Sequence, residues 1–210
     1  MKDLFVTGTG TEVGKTVLAA LLTSVLDTKY WKPIQTGVMK GTLESDSLAV
    51  RRMAELDPER VIPEAYVFDP PVSPHLAAER SKVQIKLAEI QKPKMEGRLV
   101  IEGAGGILVP VNDHDLMIDL ARHLDCELII ATQTSLGTIN HTLLSVNAIR
   151  EYGLPLLGVV MIGKQNLDNR AAIERYGEVP VLGWIPWLET INRNSLMQVF
   201  ENQFERSFFS

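Results

Sequence analysis

The residues with the clearest chemical capacity form one run, Gly8-Thr9-Gly10-Thr11-Glu12-Val13-Gly14-Lys15-Thr16. Glycines let such a loop wrap with its backbone N–H groups pointing inward. The helix that starts at its end adds a partial positive charge, so the run suits a phosphate tail. Lys15 has the reach for β- and γ-phosphates, and the Thr16 hydroxyl is a hard oxygen ligand for Mg²⁺. Five residues lie between Gly8 and Gly14 where the common pattern has four. The intact Gly-Lys-Thr end, between a strand and a helix, favours a phosphate loop over an ordinary Gly-rich turn.

Two further stretches carry charge where apolar residues surround it. Leu99-Val100-Ile101 reads as a strand ending at Glu102-Gly103-Ala104-Gly105-Gly106. An acid at the end of an apolar strand is where proteins with a phosphate loop place a metal-binding carboxylate. The glycines after it leave room for a ligand to approach the backbone. Lys32, in Trp31-Lys32-Pro33-Ile34-Gln35-Thr36-Gly37, is flanked by apolar residues, which directs its ammonium toward something specific. Taken alone it reads better as a surface lysine on an edge strand. Asp46, in Glu44-Ser45-Asp46-Ser47, reads by itself as a helix N-cap.

Short apolar runs alternate with helical patterns and must position these groups. The strands are expected at Leu4–Thr7, Tyr30–Ile34, Arg98–Glu102, Glu127–Thr132, Leu156–Ile162 and Val179–Trp184. Helices are expected over Lys15–Leu26, Asp46–Glu55, Val83–Lys92, Leu116–Leu124, Ile139–Glu151, Asp168–Tyr176 and Asn192–Gln203. Near-continuous apolar strands suit a sheet covered on both faces, and the alternation implies a doubly wound, mostly parallel α/β fold in one domain, residues 1–210. The stretch Asp57–Val67 reads as an excursion, and Asp69–Pro74 as a rigid turn into a helix. The spacing Phe200…Phe204…Phe208 predicts one apolar helix face for core or subunit packing.

The chain has 210 residues, 45% hydrophobic and 22% charged, with a formal net charge of -5. That length suits a single core of good size. The acidic balance argues against nucleic acid or anionic membrane as the main partner. It leaves a phosphate ligand open, since backbone amides and one lysine do the holding. The single cysteine, Cys126, allows neither an intramolecular disulfide nor a thiolate metal cage, and its place at the entry of an expected strand predicts a buried structural thiol over a nucleophile. A start without a long apolar segment predicts a cytoplasmic protein.

Taken together, the motifs resemble one family, dethiobiotin synthetase. The matching pieces are Thr7-Gly8…Thr11-Glu12-Val13-Gly14-Lys15-Thr16, Lys32-Pro33…Thr36-Gly37, Ser45-Asp46, Ser73-Pro74-His75, Val100–Gly106, Leu136-Gly137…Ile139-Asn140-His141 and Leu182-Gly183…Ile185-Pro186-Trp187-Leu188. They occur in the family's order and span nearly the whole chain, and the longer loop spacing is the family's own. The resemblance implies a phosphate-loop NTPase fold and an ATP-dependent, Mg²⁺-dependent ligase. Its substrates would be 7,8-diaminopelargonic acid and CO₂. It implies Lys32, Lys15 and Thr11 as catalytic residues, and Thr16, Asp46 and Glu102 as metal ligands. Nucleotide would be held by Glu12, Val13, Gly14, Lys15, Thr16, Glu102, Gly103, Ala104, Gly105, Pro186 and Trp187. Substrate would be held by Thr11, Thr36, Gly137, Thr138, Ile139 and Asn140, across a homodimer interface. His75 and His141 match too, with structural hydrogen bonding the expected role.

Departures from the family lie at the base site. Ile162-Gly163-Lys164 stands where the family often has an adenine-reading Asn-Asp pair, and isoleucine cannot make an amide's paired hydrogen bonds. Asn166 is the candidate substitute, and the sequence does not decide among adenine, guanine and cytosine. Tyr176 is the candidate for a substrate-carboxylate tyrosine found in some members. The alternative reading is a partitioning or positioning ATPase, a dimerisation switch. Those carry an added lysine at the place held here by Gly10, and its absence counts against them.

Overall fold

A computed structural model describes residues 2–38 and 44–209. In chain order the elements begin with β1 (Leu4–Gly8), α1 (Lys15–Val25), β2 (Lys29–Trp31), β3 (Ile34–Thr36) and α2 (Asp46–Met53). β4 (Val61–Ile62), β5 (Tyr66–Phe68), α3 (Pro74–Arg80), β6 (Leu99–Gly106) and α4 (Met117–His123) follow. The chain then runs through β7 (Glu127–Gln133), α5 (Thr138–Glu151), β8 (Leu156–Ile162), α6 (Leu167–Gly177), β9 (Val181–Ile185) and α7 (Arg193–Gln203). The main sheet has seven strands in the order β4-β2-β6-β1-β7-β8-β9, paired in parallel throughout. This is the expected doubly wound α/β fold.

Strand alternation decides which side chain serves which face. Leu4, Val6, Val100, Ile129, Ala131, Val160 and Ile162 join a core with α1, α2 and α7. Phe5, Leu99, Ile101, Leu128, Ile130, Val159 and Met161 join the opposite core with α4, α5 and α6. From β1 the chain moves outward to β2, whereas from β6 it crosses β1 to reach β7. The direction of winding therefore reverses at β1, and ligands of open α/β sheets bind at the carboxyl ends of strands at such a reversal. The phosphate loop follows β1 at this place.

Four expectations need correction. The strand expected over Tyr30–Ile34 is two strands, because Pro33 has no N–H to continue a ladder. β2 stays in the main sheet, while β3 pairs with β5 in a separate two-stranded sheet. The Asp57–Val67 excursion supplies β4, an edge strand of the main sheet. Val83–Lys92 forms no α-helix; its only helical turn is the 3-10 segment Leu87–Glu89. Ile85 and Ile90 are buried separately against the sheet, and this capture outweighs helix propensity. The helix in this part of the chain is α3, which starts directly at Pro74 after the predicted turn.

The fourth concerns the phenylalanines. α7 ends at Gln203, and Phe204 bridges in an antiparallel manner to Gly183 of β9. A Cβ on Gly183 would lie 2.4 Å from the Phe204 ring, so the ring occupies the space a side chain would need. Phe209, not Phe208, completes the cluster, 5.5 Å from Phe200 and 6.2 Å from Phe204. Replacing Phe204 by Ala should therefore cost about 3–5 kcal/mol of stability. Phe208→Ala should cost clearly less, and urea melts of the two variants check the order.

Cys126 is buried, as expected, and burial pushes its thiol up to about 12. A thiol reagent at pH 8 should leave the folded protein unlabelled and label it fully in denaturant. Labelling of the native protein at the rate of a free cysteine would contradict this burial.

Candidate active site

The N-cap of α1 is Gly14, whose φ of 91° is left-handed and suits glycine. A Cβ there would lie 2.7 Å from Ile162 Cδ1, so the loop also needs the bare backbone for packing on β8. No side chain caps α1, which leaves its first N–H groups for an anion. Lys15 is buried and folds back over the loop, donating from Nζ to the Gly10 carbonyl at 2.8 Å. Burial pulls its ammonium down to about 8, and the attraction of Glu102 does not offset it. A phosphate tail in the loop would favour the charged form again.

β6 does not stop at Glu102 but runs on to Gly106. Glu102 therefore sits within a strand, and alternation from Val100 turns it toward α1 and α2. Gly103 packs on Phe5, where a Cβ would come within 2.8 Å of the ring, so its small size has a core reason. By the same alternation Tyr30 and Lys32 face the side of Glu102, while Trp31 enters the opposite core.

These groups converge. Lys32 Nζ lies 2.7 Å from Asp46 Oδ2 and 3.1 Å from Glu102 Oε1. The Thr16 hydroxyl lies 3.2 Å from Asp46 Oδ1 and 3.0 Å from Glu102 Oε1. Burial alone would lower Lys32, but the Glu102 and Asp46 carboxylates override it and hold the ammonium above the ordinary lysine range. Burial alone would likewise raise Asp46, but Lys32 beside it holds the carboxyl below the ordinary range. The edge-strand reading of Lys32 is thereby excluded: the residue is 4% exposed. The N-cap of α2 is Ser45, with Asp46 the first helical residue, so the Asp46 carboxylate is free for the site.

The oxygens fit Mg²⁺. Octahedral Mg²⁺ with bonds of about 2.0–2.1 Å places adjacent ligand oxygens about 3 Å apart. Thr16 stands at 3.2 Å from Asp46 and 3.0 Å from Glu102. Among the described residues no group of three or more His, Cys, Asp or Glu could hold a metal. Two carboxylates and a hydroxyl suit an ion that takes its other ligands from water and phosphate.

Two positioning residues escaped the sequence reading. Tyr30 is fully buried and donates its hydroxyl to Glu102 Oε2 at 2.8 Å. Gln35 accepts from the Asp46 backbone N–H at 3.1 Å and donates to the Thr36 carbonyl at 2.8 Å. Only the two-residue periodicity through Tyr30 and Lys32 signalled the first, and nothing local signalled the second.

Other predicted residues take up positions around this centre. Thr11 and Glu12 are exposed on the rim of the loop, and Thr36 ends β3 beside Gln35. Glu12, Val13, Gly14, Pro186 and Trp187 line one cavity of about 100 Å³ with Ile162 at its wall. An open cleft of about 860 Å³ continues from it past Gln133, Lys164 and Asn166. The Asn166 side-chain oxygen accepts from Asn169 N–H as the cap of α6, so it is already engaged. α5 starts at Gly137 without a side-chain cap. His75 shares a hydrogen bond with Ser73, whereas His141 lies exposed on α5. Tyr176 is in the last turn of α6, which leads to the amino end of β9, whereas the phosphate loop follows the carboxyl end of β1; it is two-thirds exposed.

Comparison with known proteins agrees with this geometry. The AAA-domain family matches residues 2–195. An ATP-dependent dethiobiotin synthetase of Rhodopseudomonas palustris strain BisB18 is 42% identical over 207 residues, covering 99% of this chain and 98% of its own. The strain TIE-1 enzyme is 45% identical over 202 residues, covering 96% and 94%. The chain belongs to the ATP-dependent dethiobiotin synthetase family. Among solved structures, the cell division ATPase MinD of Pyrococcus furiosus is similar with a TM-score of 0.58 at 18% identity, covering 96% of this chain and 98% of that one. That likeness concerns the fold alone. Among the described residues no helix of this dethiobiotin synthetase family member is long and apolar enough to cross a membrane.

Tyr30→Phe removes one hydrogen bond from a buried carboxylate while keeping its volume. The Mg²⁺ concentration for half-maximal activity should rise roughly 10-fold or more. A Mg²⁺ titration of phosphate release checks this, and an unchanged midpoint would count against Tyr30 as a positioning residue.

Proposed function

We propose that this chain closes the ureido ring of dethiobiotin from 7,8-diaminopelargonic acid, CO₂ and a nucleoside triphosphate, as a step of biotin synthesis. The observation that carries the reading is the meeting of Lys32, Asp46, Glu102 and Thr16 beside the phosphate loop, in a chain of this family. One amine of the diamine adds to CO₂ and loses a proton, giving a carbamate. A carbamate oxygen then attacks the γ-phosphorus as the bond to the bridging oxygen breaks, which yields ADP and a carbamic–phosphoric anhydride. The second amine adds to the anhydride's carbonyl carbon, phosphate leaves, and the ring closes.

Carbamate and triphosphate are both anionic, so their approach needs cations fixed in place beforehand. Lys15 serves the triphosphate tail, and Lys32 lies where tail and carbamate would meet. Mg²⁺ held by Thr16, Asp46 and Glu102 would offset charge on the triphosphate. In this reading Thr11 and Thr36 hold the carbamate and diamine region, and Glu12 contacts an amine. The backbone of Gly103, Ala104 and Gly105 adjoins the phosphates, and Pro186 and Trp187 border the base. The wall at Ile162 is apolar, so the base is recognised without the family's paired amide, with ATP as the substrate.

The substrate's distal carboxylate is assigned to Gly137, Thr138, Ile139 and Asn140, at the uncapped start of α5. In this reading the helix belongs to the neighbouring subunit of a homodimer. Leu136 is fully exposed and Leu144 is 60% exposed, which suits burial between subunits. A cytoplasmic setting, with reduced Cys126 and a ready supply of ATP, accords with this chemistry.

Phosphate release should require both the diamine and bicarbonate, with the cyclic urea detected by mass. Lys32→Gln should lower the turnover about 10²–10³-fold, the usual loss for one preorganised transition-state contact. Parallel assays with ATP, CTP and GTP measure base selectivity. Release that ignores the diamine would overturn the synthetase reading.

A further inference from the structure

β7 ends in Ala131-Thr132-Gln133, and each of these residues holds the phosphate loop. Thr9 N–H donates to the Ala131 carbonyl at 3.0 Å. The Thr9 and Thr132 hydroxyls lie 3.2 Å apart. Gln133 Nε2 donates to the Glu12 carbonyl at 2.9 Å. On its other side the Thr132 hydroxyl meets the beginning of α5. It lies 2.9 Å from the Thr138 hydroxyl and accepts from the Thr142 hydroxyl at 3.0 Å. Thr132 and Thr142 are fully buried and Thr138 is 5% exposed, while Thr9 is half-buried, so water reaches the network only at its loop end.

A hydroxyl carries one proton and two acceptor sites. Thr132 already accepts from Thr142. It must therefore accept from one of Thr9 and Thr138 and donate to the other. The bonds run either from Thr9 through Thr132 to Thr138 or in reverse, and each polarises the next. Here are two discrete arrangements of a hydroxyl chain buried from Thr132 to Thr142, with the phosphate loop at one end and the α5 start at the other.

We infer that Thr132 is a positioning residue that couples occupancy of the phosphate loop to the order of residues 137–140 at the start of α5. A nucleotide that draws in the loop moves Thr9, and Thr132 transmits the change to Thr138 and Thr142. The consequence for catalysis rests on the proposal that this helix start holds the second substrate of the neighbouring subunit: that site would be completed only once nucleotide occupies this chain's own loop. The coupling itself does not depend on the substrate's identity.

Hydrogen–deuterium exchange on the full chain, with and without ADP and Mg²⁺, tests this. In the wild type, ADP should slow exchange over residues 8–16 and also over 134–142. The second effect should be at least about fivefold, the lower end of ordinary coupling between sites. Thr132→Val keeps the shape but removes the hydroxyl. It should retain protection at 8–16 and lose it at 134–142, while Thr132→Ser keeps both. Thr138→Val, which breaks only the α5 side, should behave like Thr132→Val and stands in if that variant does not fold. Full ADP protection at 134–142 in either valine variant would falsify the inference. So would wild-type protection confined to 8–16. No wild-type protection at 8–16 would instead overturn the nucleotide reading, and this coupling with it.

Discussion

The buried carboxylate of Glu102 is the constraint around which the site is built. An ionised acid inside a parallel sheet is costly unless paired and hydrogen-bonded. Glu102 is 1% exposed and has Lys32, Thr16 and Tyr30 around its two oxygens. The partners come from two parts of the chain: β2 with the residue after it, and the first turn of α1. Satisfying Glu102 thus fixes the relative placement of the strand, the phosphate-loop helix and Lys32. Asp46 extends the arrangement to α2, held from behind by Gln35.

That arrangement suits phosphoryl chemistry between two anions. The cationic groups are ordered before ligand arrives, so little reorganisation is left for the reaction. Lys15 and Lys32 are both buried but are held differently. Lys32 has two carboxylates against it and stays firmly charged. Among the described residues Lys15 has only a carbonyl oxygen in hydrogen-bond contact, and burial brings it down to about 8. The loop lysine is the group whose charge a phosphate tail would most strengthen, while Lys32 already belongs to the protein's own electrostatic balance.

Much of this was legible in the residues. The phosphate loop, the β/α alternation and the buried thiol follow from local patterns: glycine spacing, apolar periodicity and a place at the entry of an apolar strand. Thr16, Asp46 and Glu102 were matched as ligands through motif order, and the structure brings their oxygens together. Less legible were the places where long-range capture overrides local preference. Val83–Lys92 has a helical composition, yet Ile85 and Ile90 are drawn singly into the core. Phe208 has the right spacing for a helix face, yet α7 ends before it because Phe204 bridges to Gly183.

The sequence by itself determined the type of chemistry, because a phosphate-holding loop is made by contiguous residues and their local backbone freedom. It likewise determined the parity of each strand, and so which side chains share a face. Only the tertiary structure decided that Lys32 turns inward to two carboxylates. Only it decided that Tyr30 and Gln35 support the ligands, and that Thr132 joins the loop to α5. Those relations link residues 30, 32, 46 and 102, and 9, 132 and 142, across the crossovers of the sheet. Their geometry depends on strand order and register, which no local stretch of sequence contains.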